Sequence, residues 1–345
     1  MKREKPKKYS LSTIAAELGV SKSAVSFVMN GKAQNRRISH ELEKKIRDYC
    51  EKINYRPNIH AQRMNSPQVK NIGILLDENI SNSARSPFQD YNVANIVGGI
   101  ADAAAAAGYR FSCQIYSRKT PDDAVFDWFR NKEIAGLIYY GMRMPDHWVD
   151  TFKQDDFKTV GISIDPACGL PCVNVDNYGA SFELTGHLIR SGRRRFLYIA
   201  GTETAYPGRE RLRGFLDALE ANEIEFSREN ILSANFDRNQ AAALIRSLWI
   251  HGKLDFDAVV CANDYMAAGV IQALQEAGIH VPETTAVAGA DNNSLCEIIS
   301  PPLTSFDYQS FELGRAAFSL LKDLISGLEP QNVVLKTTLS LRRSG

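Results

Sequence analysis

Residues 10–30, SLSTIAAELGVSKSAVSFVMN, constrain this chain most, because their spacing admits two short helices joined by one tight turn. Ser10 is placed to cap a helix whose apolar residues Leu11, Ile14, Ala15 and Leu18 follow helical spacing. Gly19 ends that helix, since glycine takes the left-handed conformation that closes one, and Ser21 is placed to cap the next. In the second helix Ala24, Val25 and Val28 face inward, leaving Lys22, Ser23, Ser26 and Phe27 outside. Such a pair is a helix-turn-helix, whose second helix enters a DNA major groove.

Charge agrees with this reading. Residues 1–65 carry 15 Lys and Arg against 6 Asp and Glu, whereas the rest of the chain carries 26 against 34. A basic head on an acidic body suits a head that meets phosphates and a body that does not. A solvated basic tail would account for KREKPKK (2–8), but not for the helical pattern behind it. After the second helix, NGKAQNRR (30–37) is a turn-rich basic loop, and Ser39 is placed to cap a third helix over 40–53. Tyr55-Arg56-Pro57-Asn58 breaks it. The segment Asn58 to Met64 is short and polar, and isolated helices below about 12–15 residues are marginal in water. A linker that becomes helical only on DNA is expected there.

At 345 residues the chain calls for two or three domains. From Asn71 onward, apolar strand runs alternate with helical patterns: NIGILL (71–76), RFSCQIY (110–116), AGLIYYG (135–141), KTVGISI (158–164) and VNVD (173–176). The alternation restarts with RFLYIAG (195–201), ILSANF (231–236), DAVVCAND (257–264) and TAVAGAD (285–291). This is the pattern of a parallel α/β sheet, long enough for two doubly wound subdomains with a ligand cleft between them. No GxGxxG or GxxxxGK[ST] follows any strand, which gives a nucleotide-binding enzyme little support. The six cysteines (50, 113, 168, 172, 261 and 296) and the six histidines form no metal-ligand pattern, so reduced structural thiols and no cofactor are expected. Neither a signal peptide nor a membrane-spanning run is present, and a cytosolic location is expected.

The order of these parts resembles the lactose-repressor (LacI/GalR) family of transcriptional regulators end to end. The marks are TIAAELGVSKSAVSFVMNGK (13–32), YRPN (55–58), NIGIL (71–75), AND (262–264), GAD (289–291) and PPLTSFD (301–307). The resemblance implies a helix-turn-helix head on a periplasmic-binding-protein-like body of two doubly wound parallel-sheet subdomains. It implies a head over 1–57, a hinge helix and linker over 58–69, and an effector-binding and dimerisation domain over 70–345. The first lobe would span about 70–174 plus 307–328, and the second about 175–304 plus 331–345.

By position, Lys22 and Ser23 would read base edges, while Ser10, Ser21, Ser26 and Asn30 would hold phosphates. The family often has arginine where this chain has Phe27, which offers only apolar contact, to a thymine methyl, or else packs into the head's core. Arg36 and Arg37, in a loop longer than the family's shorter version, would add phosphate contacts or be solvated. Asn58, Ala61 and Met64 fall on the hinge helix, where the family wedges a leucine into the minor groove; methionine here is the wedge or a linker residue without a role.

For the effector, Arg211 matches the family's ligand-gripping arginine, and Asn263 and Asp291 lie at carboxyl ends of strands. An arginine, an amide and a carboxylate together suit a polyhydroxyl ligand, although Asx side chains at such ends also satisfy loop backbone groups. Phe88, Tyr91 and Tyr308 are aromatics that either stack on the ligand or pack under a loop. The implied partners are double-stranded operator DNA, a small-molecule effector with a carbohydrate leading, and a second copy of the chain, with no membrane. A dimer is expected, since no leucine-heptad extension follows RRSG (342–345). A solute receptor or an enzyme on the same two-lobed body is the rival reading. The wedge reading predicts that Met64→Gly weakens operator binding much more than binding to random DNA in a salt-matched titration; equal losses would rule it out.

Overall fold

Ser10 and Thr13 each use a side-chain oxygen to satisfy the other's backbone N–H, and this reciprocal cap starts α1 (Leu11–Leu18). Gly19, at φ 70°, ends it in the left-handed conformation. The Ser21 hydroxyl accepts from the Ala24 N–H at 3.1 Å, starting α2 (Lys22–Met29). Ser39 does the same for Leu42 at the start of α3 (His40–Lys52). The three helices share a core of Ile14, Val25, Val28 and Ile46, joined by Ala15, Ala33 and Cys50. The Tyr49 hydroxyl donates to Glu17 and ties α3 to α1.

The structure is a computed structural model that describes residues 9–29, 33–36, 38–53, 55, 69–80, 86–117, 119–141, 144–252 and 254–345. The chain divides into two compact units, Met1–Val69 and Lys70–Gly345.

In the second unit, β1 (Asn71–Asp77) is buried along almost its whole length, as a strand is when helices cover both faces of a parallel sheet. It is followed by α4 (Tyr91–Ala106), β2 (Arg110–Tyr116), α5 (Asp122–Arg130), β3 (Leu137–Tyr140), α6 (Asp146–Gln154), β4 (Thr159–Ile162) and β5 (Cys172–Val175). The chain then crosses to a second lobe. There α7 (Asn177–Arg190), β6 (Phe196–Ala200), α8 (Tyr206–Ala221), β7 (Ile231–Ser233) and α9 (Arg238–Ile250) come first. They lead to β8 (Ala258–Cys261), α10 (Asp264–Glu276), β9 (Ala286–Ala288) and α11 (Leu295–Ile298). A strap through β10 (Ser305–Phe306) returns the chain to α12 (Ser310–Ile325) and β11 (Val333–Leu335) in the first lobe, and β12 (Leu339–Ser340) goes back to the second. The sheets run β11-β5-β4-β3-β1-β2 and β7-β6-β8-β9, all parallel, with β10 and β12 paired antiparallel at the crossing.

Three chain segments therefore join the lobes, and hydrogen bonds tie them side by side. The Asp176 N–H donates to the Leu335 carbonyl at 3.0 Å, and the Asp307 N–H to the Thr338 carbonyl at 3.0 Å.

Two features differ from the sequence expectation. The helix α6 has no counterpart in the predicted pattern; it forms because Trp148, Val149 and Phe152 bury one face against the first sheet's core. The segment 331–345 does not belong wholly to the second lobe. Val333–Leu335 extends the first sheet along β5, and the Asn332 side chain accepts from the Cys172 N–H at 3.0 Å. An apolar run beside an open strand edge satisfies its backbone groups by pairing there. Only the end of the segment reaches the second lobe, where buried Ser344 donates to Val287 and accepts from Thr304.

Helices within each lobe approach backbone to backbone at glycine. A Cβ on Gly99 of α4 would lie 2.0 Å from the Phe311 carbonyl oxygen of α12, and one on Gly314 of α12 would lie 2.1 Å from that of Ile96. Gly214 of α8 meets Tyr178 of α7 in the same way, at 2.2 Å. Neighbouring Gly98 is different, with its nearest atom 3.8 Å away on the ring edge of Phe311. Gly99→Ala should therefore cost ~1–3 kcal/mol by overpacking, whereas Gly98→Ala should be neutral or stabilise by ~0.5–1 kcal/mol through helix propensity. Urea unfolding of the two variants measures the difference.

Candidate DNA-reading face and effector cleft

The head exposes Lys22 and Ser23 at the start of α2, with Ser26 and Phe27 half-buried one turn on. Residues at i, i+1, i+4 and i+5 share one helix face, so these four form a single stripe opposite Val25 and Val28. Phe27, half-buried, is not among the described residues of the head's core cluster. Ser10 and Ser21 are exposed, and both hydroxyls take part in helix capping. Asn30, Asn58, Ala61 and Met64 lie outside the described residues, as does Arg37.

In the body, Arg211, Asn263, Asp291 and Tyr308 come together in one cleft of about 680 Å³, open mouth included. Arg211, on the second turn of α8, is 4% exposed. Its Nε–H donates to Asn177 at 2.7 Å, Nη1 donates to the Ala262 carbonyl, and Nη2 donates to Asp291 Oδ1 at 2.9 Å. The Phe306 and Tyr308 rings lie 5.3 and 5.2 Å from the guanidinium carbon. Burial, the largest single influence, would lower the Arg211 pKa, but Asp291, Tyr308 and Tyr198 beside it together outweigh burial and hold it above its ordinary value. Burial pushes Asp291 above the usual carboxylate range, and Arg211 pulls it back only in part.

Asp291 follows β9 at φ 112°, a conformation that non-glycine residues rarely adopt. Its backbone fixes it there: the N–H donates to the Phe306 carbonyl at 3.0 Å, and the carbonyl accepts from the Tyr308 N–H at 3.3 Å. Asn263 spends its side-chain oxygen capping α10, accepting from the Met266 N–H at 2.8 Å. Its amide nitrogen, at 3.5 Å from the Phe236 carbonyl, remains the group able to donate to a ligand. The Tyr308 hydroxyl bonds the Ser163 hydroxyl, and Tyr140 bonds Tyr308 in turn. Burial first, and Tyr308 next, push the Tyr140 phenol well above its ordinary value, so it stays neutral.

The structure does not bring Phe88 or Tyr91 into this cleft. Pro87–Gln89 is a single 3-10 turn that buries Pro87 and leaves Phe88 46% exposed. Asp90 caps α4 by accepting from the Asn92 and Val93 N–H groups, which places Tyr91 at a neighbouring depression with Asn95 and Gln309. The cleft wall from this loop is instead Ile80, Asp90 and Asn92. Its aromatic lining comes from Tyr140, Phe236 and Tyr265 beside Tyr308. Phe236 adopts φ 60°, and a Cβ on Gly201 would strike its ring at 2.0 Å, so Gly201 makes the room that the ring occupies.

The periplasmic binding protein-like domain matches residues 185–345, and the domain of bacterial regulatory proteins of the lacI family matches residues 10–58. The chain thus carries the lacI-family head and a periplasmic binding protein-like body in one order. Among its relatives are the HTH-type transcriptional regulator CelR of Thermobifida fusca, 27% identical over 99% of this chain and 100% of CelR. Catabolite control protein A of Staphylococcus xylosus is 26% identical over 95% of this chain and 97% of its own length. Among solved structures, the CelR–cellobiose complex matches with a TM-score of 0.73, 27% identity and coverage of 98% of this chain and 100% of CelR. The lac repressor dimer bound to operator and an anti-inducer shares the fold at a TM-score of 0.82 and 21% identity, over 98% of this chain and 99% of the repressor. These lacI-family relatives are regulators, not enzymes.

The cleft offers a carboxylate acceptor, a guanidinium and an amide as donors, phenols able to do both, and flat apolar rings. Among the described residues no group of three or more His, Cys, Asp or Glu is placed to hold a metal, and no helix is long and apolar enough to cross a membrane. Arg211→Ala should destabilise the protein by ~3–5 kcal/mol, because it leaves Asp291 as an uncompensated buried charge. Pairing that change with Asp291→Asn should recover part of the loss, measured as the urea midpoint of the two variants.

Proposed function

We propose that this protein is a sugar-responsive transcriptional repressor that binds a two-fold symmetric operator as a homodimer in the cytoplasm. In this reading, residues 1–57 read DNA, 58–69 form a hinge, and 70–345 bind the effector and pair the two copies. The observation that carries the effector class is the buried Arg211–Asp291 pair set among Tyr140, Phe236, Tyr265 and Tyr308. A sugar ring presents hydroxyls at its edge and C–H groups on its faces. A fixed carboxylate and fixed donors suit the first, and aromatic rings suit the second. The cellobiose complex of CelR, a relative across the whole chain, supports the same class.

On the DNA side, Lys22 and Ser23 take base edges, and Ser10, Ser21, Ser26 and Asn30 take phosphates, with Phe27 contributing apolar contact. Asn58, Ala61 and Met64 act from the hinge, and the apolar contribution of Phe27 is exerted on the same face as Lys22 and Ser23, directly or through a side chain laid on its ring. The effector changes operator affinity because the cleft spans both lobes: a ligand that prefers one lobe angle shifts the population toward it.

A thermal-shift screen of the full-length protein against monosaccharides, disaccharides, nucleosides and amino acids tests the reading. The expected hits are saccharides that share one terminal unit. A ligand at 100 times its Kd adds about 2.7 kcal/mol of stability, and that shift should vanish in Asp291→Asn. Shifts with nucleosides or amino acids alone would overturn the sugar assignment, and a hit that leaves DNA affinity unchanged would overturn the regulatory one.

A further inference from the structure

Arg36 lies over the ring of Phe27, its guanidinium carbon 5.0 Å from the ring centroid. The ring sits on the outward stripe of α2, beside exposed Lys22 and Ser23, and Arg36 itself is exposed. The turn that carries Arg36, Gln34–Arg36, is anchored at both ends. Ala33 is 2% exposed within the head's core, and its carbonyl accepts from the N–H groups of Arg36 and Ile38, each at 3.2 Å. Ile38 packs against the same core. The backbone at Arg36 is thus fixed relative to α2, and the stack is a product of the fold.

The chemistry of the stripe has a gap that this stack fills. The helix α2, KSAVSFVM, contains no arginine. Lys22 is a point charge, serine hydroxyls pair with donors and acceptors alike, and phenylalanine makes only apolar contacts. None of them presents the planar fork that takes guanine O6 and N7 together. A guanidinium held over an aromatic ring keeps N–H groups free for two further bonds and gives up less conformational freedom on binding.

We propose that Arg36, laid on Phe27, reads a guanine in the major groove, so that residues from two elements act as one base reader. This rests on the reading of the head as a sequence-specific DNA binder. Phe27 is then a positioning residue whose effect passes through Arg36.

The test is selection of bound duplexes from a random pool by the full-length protein, followed by titration of the selected site and of variants at each position. The wild type should retain a G·C pair at one position of each half-site. Arg36→Ala and Phe27→Ala should each lose the preference at that position alone, with roughly 10- to 100-fold weaker binding to the selected site. The double variant should lose no more discrimination at that position than Arg36→Ala does. Arg36→Lys, which keeps the charge without the fork, should also lose the preference, and Phe27→Tyr should keep it. An Arg36→Ala loss that is equal for every sequence would mean a phosphate contact and overturn the proposal, as would a guanine preference that survives Phe27→Ala. Failure of the wild type to enrich any sequence would instead overturn the DNA-binding reading beneath it. Phe27 lies outside the core, so its variants should melt with the wild type; Arg36→Lys decides the matter independently of them.

Discussion

A buried ion pair holds the body of this protein together at the place where its two lobes meet. Arg211 touches Asn177, where the chain first enters the second lobe, Ala262 just past β8, and Asp291 just past β9. Phe306 and Tyr308, on the returning strap, cover the same guanidinium. One side chain therefore registers the first crossing, two strand ends and the second crossing against each other. Taking both charges out of water is costly, and a hydrophobic pair of similar size would often be as stable. What an ion pair adds is geometry: three of the five guanidinium donors are already committed, and each fixes one element.

The head works by a different economy of groups. Its helices are too short to be stable alone, so serine caps at Ser10, Ser21 and Ser39 and a small shared core fix them instead. Caps and core use the inward positions and the helix starts, which leaves the outer stripe of α2 to be chosen for what it contacts. The acidic body needs no such stripe. Its helices pack at glycine contacts close enough to exclude a methyl group, which makes each helix pair move as one piece.

Much of this was legible in the residues. The strand runs at 71–76 and 110–116, the glycine that ends α1 and the cap residues all act through local spacing, and the structure places each as expected. Arg211, Asn263, Asp291 and Tyr308 converge because carboxyl ends of parallel strands gather at one edge. The same rule reaches Tyr140 at the end of β3 and Ser163 just past β4, which sequence reasoning did not single out. Phe236 was harder to see, since it depends on a left-handed backbone and on the space left by Gly201, far away in the sequence, rather than on a local pattern. Phe88 and Tyr91 failed in the opposite way: the sequence placed them in the right loop, but the Asp90 cap decides which loop residues face the cleft. The exchange of Val333–Leu335 to the first sheet is a choice between two strand edges, and nothing local to that segment distinguishes them.

The three crossings, tied to each other by the Asp176–Leu335 and Asp307–Thr338 backbone bonds, form a ribbon and not three loose strings. Segments bonded side by side cannot be displaced independently, so a shift in one crossing is passed to the other two. Tyr308 stands in that ribbon and in the wall of the cleft at once. Phe236 and Tyr265 line the cleft from the second lobe alone. On the proposed reading of the cleft as an effector site, redesigning what is sensed is therefore separable from how it is transmitted at Phe236 and Tyr265, and inseparable from it at Tyr308.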